Sequence, residues 1–401
     1  MSSRARILLA AATVLAPALA FGDAGLDREI GRALFERLWV PAPASTDAAD
    51  GLGPLFNARA CATCHSGAGG ARFAAAPDGG ISARGLVVRF GDAAGTPDPT
   101  YGRQLQDHAV NGLAAEGTLV AALAPDGSLE ARPDLARGAL RAGMRTSLRN
   151  APPLFGIGDR ERVDEAAILA RADPEDRDGD GISGRPRMVE TAEGPRVGRY
   201  GWKGESADLE TQVADAFALD LGLSSAAAPH PYGDCTRAEP DCLAAPTGES
   251  GLFEGHEISA EIVTLVANYL RGLAAKKPAP DRGEGARLFA AAGCAACHVP
   301  DMADTGGGRV RIFTDFLLHD MGEHLDDGVG GPGVAPSEWR TPALVDLAPR
   351  GGRRRYLHDG RAGTLEAAIR AHAGEAARAR AKFLALEARD RSALLRYLES
   401  L

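Results

Sequence analysis

Apolar residues recur at helical spacing in four stretches of this chain, two early and two late. Leu26, Ile30, Leu34, Phe35 and Leu38 predict a helix over Asp27 to Trp39. Ile258, Ile262, Leu265, Val266, Tyr269, Leu270 and Leu273 form one longer stripe, and Leu394, Leu395, Leu398 and Leu401 form another. Ala286 and Phe289 predict a helix that ends at Gly293, with Asp281 placed to cap it. An opening helix and a closing helix therefore occur twice. The charged, Pro-containing stretch Lys276 to Pro280 reads as the linker between the two units. The expected division is residues 21–278 and 279–401, and the first unit must carry a long insertion, roughly Gly70 to Ser250. That insertion lacks sustained periodicity and reads as loop-rich.

The chemistry enters with two pentapeptides, each just downstream of an opening helix. Cys61-Ala62-Thr63-Cys64-His65 and Cys294-Ala295-Ala296-Cys297-His298 are CxxCH sequences. Two thiols at that spacing can form thioethers to the vinyl groups of a haem, and the next residue supplies an imidazole to iron. Zinc would need a complete ligand set, and a redox disulfide does not call for the trailing histidine. Two copies predict two covalently attached c-type haems, with His65 and His298 as proximal ligands. The fold class expected on this reading is mainly α, as two cytochrome c-like domains.

The N-terminus adds a compartment. Arg4 and Arg6 precede an apolar run, Ile7 to Ala20, that ends in Ala18-Leu19-Ala20. The run is short and interrupted by Pro17, so residues 1–20 read as a signal peptide cleaved after Ala20, leaving no membrane span. Periplasmic export follows, and in an oxidising compartment Cys235 and Cys242 can pair across their Pro- and Asp-rich loop. A length of 401 residues suits about two domains. The formal net charge of -9 argues against nucleic acid as a partner. Within the insertion, Asp176, Asp178 and Asp180 alternate and are followed by Gly181, like the opening of a calcium loop; position twelve is Arg187 rather than glutamate. One bound calcium ion and a solvated acidic turn both stay open.

Seven further segments lie in a recognisable order: Gly53 to Asn57, Ala151 to Gly158 (APPLFGIG), Asp173 to Gly184, Tyr200 to Lys203, Thr314 to Gly322 (TDFLLHDMG), Glu338 to Pro342 (EWRTP) and Tyr356 to Glu375. Together with the pentapeptides they resemble the exported dihaem oxidoreductase family, related to bacterial dihaem cytochrome c peroxidases. The resemblance implies that His372, after the His-Asp-Gly segment, is the distal ligand of the second haem, with His358 and His319 as alternatives. For the first haem it suggests Met144 as a sixth ligand against ordinary packing of that side chain; His108, His230 and His256 are further candidates. It also implies that Trp202 relays electrons between the haems.

Glu205 and Glu116 are candidate proton donors and acceptors for O–O cleavage. The arginines from Arg350 to Arg355 are candidates to hold propionates or dock an acidic donor. The function implied is a periplasmic dihaem c-type oxidoreductase with peroxidase-like chemistry at the N-terminal haem and electron transfer through the C-terminal one. Its expected partners are a small electron-donor protein and hydrogen peroxide. The alternatives are an electron-carrier cytochrome without catalysis and a haem-bearing subunit of a larger exported complex.

Overall fold

A computed structural model describes residues 24–46, 49–77, 79–275, 283–349 and 354–401. The signal-peptide segment, the boundary at residue 279, the Asp281 cap and Arg350 to Arg353 lie outside the described residues.

Each pentapeptide belongs to a crossed pair of helices. The helix Ala24–Glu36 packs on Ala260–Arg271, and Glu284–Ala292 packs on Ala388–Glu399. Both crossings turn on a glycine. A Cβ added to Gly31 would meet the Leu265 carbonyl oxygen at 2.0 Å, and one added to Gly285 would meet the Ala393 carbonyl oxygen at 2.5 Å. Backbones that approach this closely leave no room for a side chain. Four residues past each glycine a phenylalanine packs against a tyrosine of the partner helix: Phe35 on Tyr269, with ring centroids 5.3 Å apart, and Phe289 on Tyr397 at 5.8 Å.

This geometry corrects the face expected for the first helix. The helix ends at Glu36, and Leu26, Ile30 and Leu38 are 59%, 40% and 62% exposed while Leu34 and Phe35 are buried. The crossing at Gly31 turns Leu34 and Phe35 inward and leaves the ends of the apolar stripe in solvent. The second opening helix starts at Glu284, with Gly283 as its N-cap.

The expected mainly α class is overturned. Of the described residues, 28% are helical and 21% lie in strands or bridges. The strands form seven two-stranded antiparallel sheets among the described residues. Most lie in the insertion, including the hairpin of Gly117–Leu123 with Leu129–Leu135 and the pair Leu86–Gly91 with Arg145–Asn150. Strands of two to seven residues carry too few alternations to stand out from loop sequence. The hairpin closes through Pro125-Asp126-Gly127-Ser128, where the Asp126 carboxylate accepts from the Ser128 N–H at 2.9 Å and Gly127 takes φ +79°.

The insertion also packs against the C-terminal part of the chain. Val163, Ile168 and Val197 share a buried core with Val299, Ile312, Phe316 and Leu317. Separate cores join the first helix pair, around Trp39 and Leu209, and the second pair, around Phe289 and Leu398. Cys235 and Cys242 are disulfide-bonded, with Cα atoms 6.2 Å apart. No helix among the described residues is long and apolar enough to cross a membrane.

Candidate haem sites

Both pentapeptides open onto one continuous cavity of about 970 Å³, lined by Cys61, Cys64, His65, Cys294, Cys297 and His298. Its volume is at the upper end of small-molecule sites.

At the first pentapeptide, Cys61–Cys64 form one helical turn and His65 leaves it. The His65 Nδ1 lies 3.0 Å from the Pro152 carbonyl oxygen. A carbonyl can only accept, so Nδ1 carries the proton and Nε2 keeps its lone pair. Gly70 allows the approach of that segment, because a Cβ there would stand 2.5 Å from the Ala151 carbonyl oxygen. Burial pushes His65 below its ordinary pKa and raises the Cys61 and Cys64 thiols to about 12. Thiols held protonated in apolar surroundings are poor metal thiolates and poor disulfide exchangers. No group of three metal-type side chains among the described residues includes either cysteine.

The second pentapeptide repeats the device. His298 Nδ1 lies 3.2 Å from the Phe313 carbonyl oxygen, which again leaves Nε2 available. Burial, then the neighbouring His372, pushes His298 down to about 4. His372 caps the C-terminus of the helix Leu365–Ala371, whose N-terminus is closed by the Thr364 hydroxyl accepting from Ala367 N–H at 3.0 Å. His372 Nδ1 lies 2.8 Å from the Ala368 carbonyl oxygen, and burial lowers its pKa. His298 and His372 thus line the same cavity, both with Nδ1 occupied.

The residues present fit two haems of c type: two half-buried thiol pairs, each followed by a histidine whose Nδ1 a backbone carbonyl holds, around a single large cavity. The structure separates the other candidates. Trp202 and Glu205 line the cavity, as do His319 and His358. Met144 is buried in the turn that precedes the strand Arg145–Asn150 and does not line the cavity, and Met321 is the cavity-lining methionine among the described residues. His108 points outward with its ring stacked on Phe56, His230 is exposed beside Tyr232, and His256 is half-buried in a turn; none lines the cavity. Glu116 is buried elsewhere, raised to about 10 by burial and paired with Glu239. Arg354 and Arg355 reach the cavity wall, but Arg354 is spent on Asp346 at 2.8 Å and Arg355 on the carbonyls of Gly360, Gly127 and Arg361.

Two clusters escaped the sequence reading. His319 Nε2 lies 3.0 Å from Asp315 Oδ2, and its Nδ1 lies 2.7 Å from Glu375 Oε2. Both partners accept, so the ring is an imidazolium. Burial opposes that charge, but the bonds to Asp315, Cys297 and Glu375 raise His319 to about 12. The contribution of Cys297 ends if its sulfur becomes a thioether, whereas the carboxylates remain. Asp315 stands two residues after Phe313 and Glu375 three after His372, so His319 ties the proximal segment to the distal one. The i, i+4 spacing of Asp315 and His319 was the available signal.

The second cluster surrounds His358, whose ring is stacked on Trp339 at 3.6 Å between centroids and lies edge-on to Trp202 at 6.4 Å. Burial, then Arg149, Arg361 and Lys203, pushes His358 well below the ordinary range, so it is neutral. The Trp202 Nε1–H donates to the Asn150 carbonyl oxygen at 3.0 Å, two residues before Pro152.

The family model described as "Di-haem oxidoreductase, putative peroxidase" matches residues 132–401, and the chain belongs to this family. No curated protein and no solved structure matches it. The protein is thus a haem-containing oxidoreductase.

Proposed function

We propose that the chain is an exported, periplasmic dihaem cytochrome with peroxidase-like activity, holding both haems by thioethers at Cys61/Cys64 and Cys294/Cys297. In this reading His65 ligates the first iron, and His298 and His372 ligate the second. A haem with a vacant position reacts with peroxide, and a six-coordinate one stores an electron.

The observation that carries the reading is the asymmetry of histidines with a carbonyl-bonded Nδ1: two at the second pentapeptide, one at the first. Lys203 is anchored on the carbonyls of Ala335, Pro336 and Glu338, which fixes the neighbouring Trp202 and Glu205 at the cavity wall. Trp202 is then the electron relay, and Glu205 the group that accepts or delivers a proton at the substrate oxygen. A small donor protein and hydrogen peroxide are the proposed partners. One Ca²⁺ is proposed at Asp176, Asp178 and Asp180, whose carboxylate oxygens lie within 4.8 Å of one another.

One observation favours the electron-carrier reading. His358 Nε2 is buried, has no hydrogen bond and belongs to a cavity-lining residue, so it is a second imidazole available to the first iron.

EPR of the oxidised protein separates the two. The peroxidase-like reading expects one high-spin and one low-spin ferric signal in equal amounts, with His372→Ala converting the low-spin signal to high-spin while both haems stay attached. Wholly low-spin iron that becomes half high-spin in His358→Ala establishes the carrier reading instead. Low-spin signals unchanged in His372→Ala overturn the assignment of that ligand.

A further inference from the structure

Two arginines lie deep in the cavity wall with no carboxylate in contact. Arg160 is 6% exposed, its guanidinium makes no hydrogen bond among the described residues, and its Nε is shut off from solvent. Its nearest aromatic contact is the Tyr200 ring, 5.7 Å from Cζ. Arg340 is 4% exposed and donates only to neutral acceptors, the carbonyls of Gly201 and Thr341, each at 3.0 Å. Burial, then the positive charge of Arg160, pushes Arg340 down to about 9 against the pull of Glu205, Tyr200 and Asp315, none of which it contacts.

Three other buried arginines have an acid beside them: Arg149 meets Asp327 at 2.9 Å, Arg354 meets Asp346 at 2.8 Å, and Arg199 meets Glu165 at 3.6 Å, whereas Arg355 at the cavity rim is held by three carbonyls. A buried cation without a counter-charge in contact is unfavourable, and two that repel each other are worse. The missing partner must be an anion that enters with whatever fills the cavity.

Position says which anion. Arg160 lies in the helical turn Asp159–Arg162, directly after the segment whose Pro152 carbonyl holds His65. Arg340 ends the strand Glu338–Arg340, and the next residue, Thr341, accepts at its carbonyl from the Thr314 hydroxyl, adjacent to the Phe313 that holds His298. One arginine hangs from each proximal segment, and the two meet near Tyr200.

We propose that Arg160 and Arg340 are the carboxylate anchors for haem propionates at the junction of the two sites, Arg160 serving the first haem and Arg340 the second. This rests on the dihaem reading above. A guanidinium fork matches a carboxylate bidentately and keeps it ionised.

The test uses the full-length holoprotein and its Arg160→Gln, Arg160→Lys and Arg340→Gln variants. Haem content, the midpoint potential of each haem from pH 5 to 9, and the resonance Raman propionate modes are measured. Removing a cation beside a carboxylate stabilises the more positive oxidised haem. Each glutamine variant should therefore retain two haems but shift the oxidised-to-reduced ratio of one of them about tenfold, equivalent to about 59 mV for one electron. It should also make that potential depend on pH, because the freed propionate now titrates. Arg160→Lys should hold the potential near wild type while shifting the Raman mode, since it keeps the charge and loses the fork. If Arg160→Gln does not accumulate, Arg340→Gln and the Raman mode of Arg160→Lys decide. Two bound haems with wild-type potentials, flat pH profiles and unmoved Raman modes would overturn the proposal. Fewer than two haems in the wild type would instead overturn the dihaem reading beneath it.

Discussion

The two CxxCH segments differ at one inner position, Thr63 against Ala296, and both hang their histidine from a carbonyl some way along the chain, yet what returns over each is different. Over the second, the helix Leu365–Ala371 brings His372 back with its Nδ1 already bonded. At the first, the closing helix and its π-helical neighbour Phe217–Leu221 line the cavity with Val266, Leu270, Leu219 and Asp220, and bring no imidazole. Near-identical pentapeptides are thus covered by unlike returning segments, one presenting an imidazole to the cavity and the other only aliphatic side chains and a carboxylate.

The largest expected effect comes from removing an attachment point. Cys297→Ser should lower the alkaline pyridine haem count by about one per chain, because the haem is part of the core it nucleates. Cys61→Ser should do the same at the other site with the His298/His372 signal unchanged. A loss of both haems in either variant would show that the sites do not load separately, and the comparison would collapse.

Next is the His319 clamp at the second site. Asp315→Asn leaves the buried His319 imidazolium half-compensated and should cost about 3–5 kcal/mol in urea unfolding. The pH dependence sharpens this. The folded pKa of His319 is raised to about 12 from an ordinary 6.5, so the clamp contributes fully below about pH 6.5 and progressively less as pH rises from there toward 12. The gap between wild type and variant should be wider at pH 6 than at pH 9. Equal gaps at the two values would mean that His319 is neutral.

A smaller effect is expected between the sites. Trp202→Phe should slow electron equilibration between the haems about tenfold, a barrier change of about 1.4 kcal/mol, while leaving both absorption spectra in place. Flash reduction followed at two wavelengths reads it, and an unchanged rate would remove Trp202 from the route. The smallest effect concerns the acidic loop, whose Asp180 and Ile182 reach the cavity wall. Calorimetry on chelator-treated protein should show about one calcium ion per chain. No heat of binding would leave the loop as a set of turns, in which Asp176, Asp178 and Asp180 accept from the N–H groups of Gly181, Asp180 and Ile182.

Much of this was readable beforehand where a feature depends on neighbours in sequence. The two thiol pairs with their following histidines are such a feature, because the spacing is local, and all six residues line one cavity. So are the closing helices: Ile258, Val266 and Leu270 are buried, as are Leu394, Leu398 and Leu401. The repeat Gly31-Arg32-Ala33-Leu34-Phe35 and Gly285-Ala286-Arg287-Leu288-Phe289 was also legible as a matched pair of helix crossings, and would have placed the buried face of the first helix correctly. The Pro125-Asp126-Gly127 turn likewise announced a hairpin inside a stretch taken for loop.

The sequence by itself determined that two cysteine pairs, each with its histidine, are set beside an opening helix and followed by a closing one, because those relations are carried by spacing along the backbone. Only the tertiary structure decided which side chains share the cavity. Met144 and Met321 are equivalent as residue types, and the fold sends one into other packing and the other to the cavity wall. His319 meets Glu375 across 56 positions, and Arg160 approaches Arg340 across a still longer span. Contacts of that range are set by tertiary packing, and no local pattern of hydrophobic and polar residues encodes them.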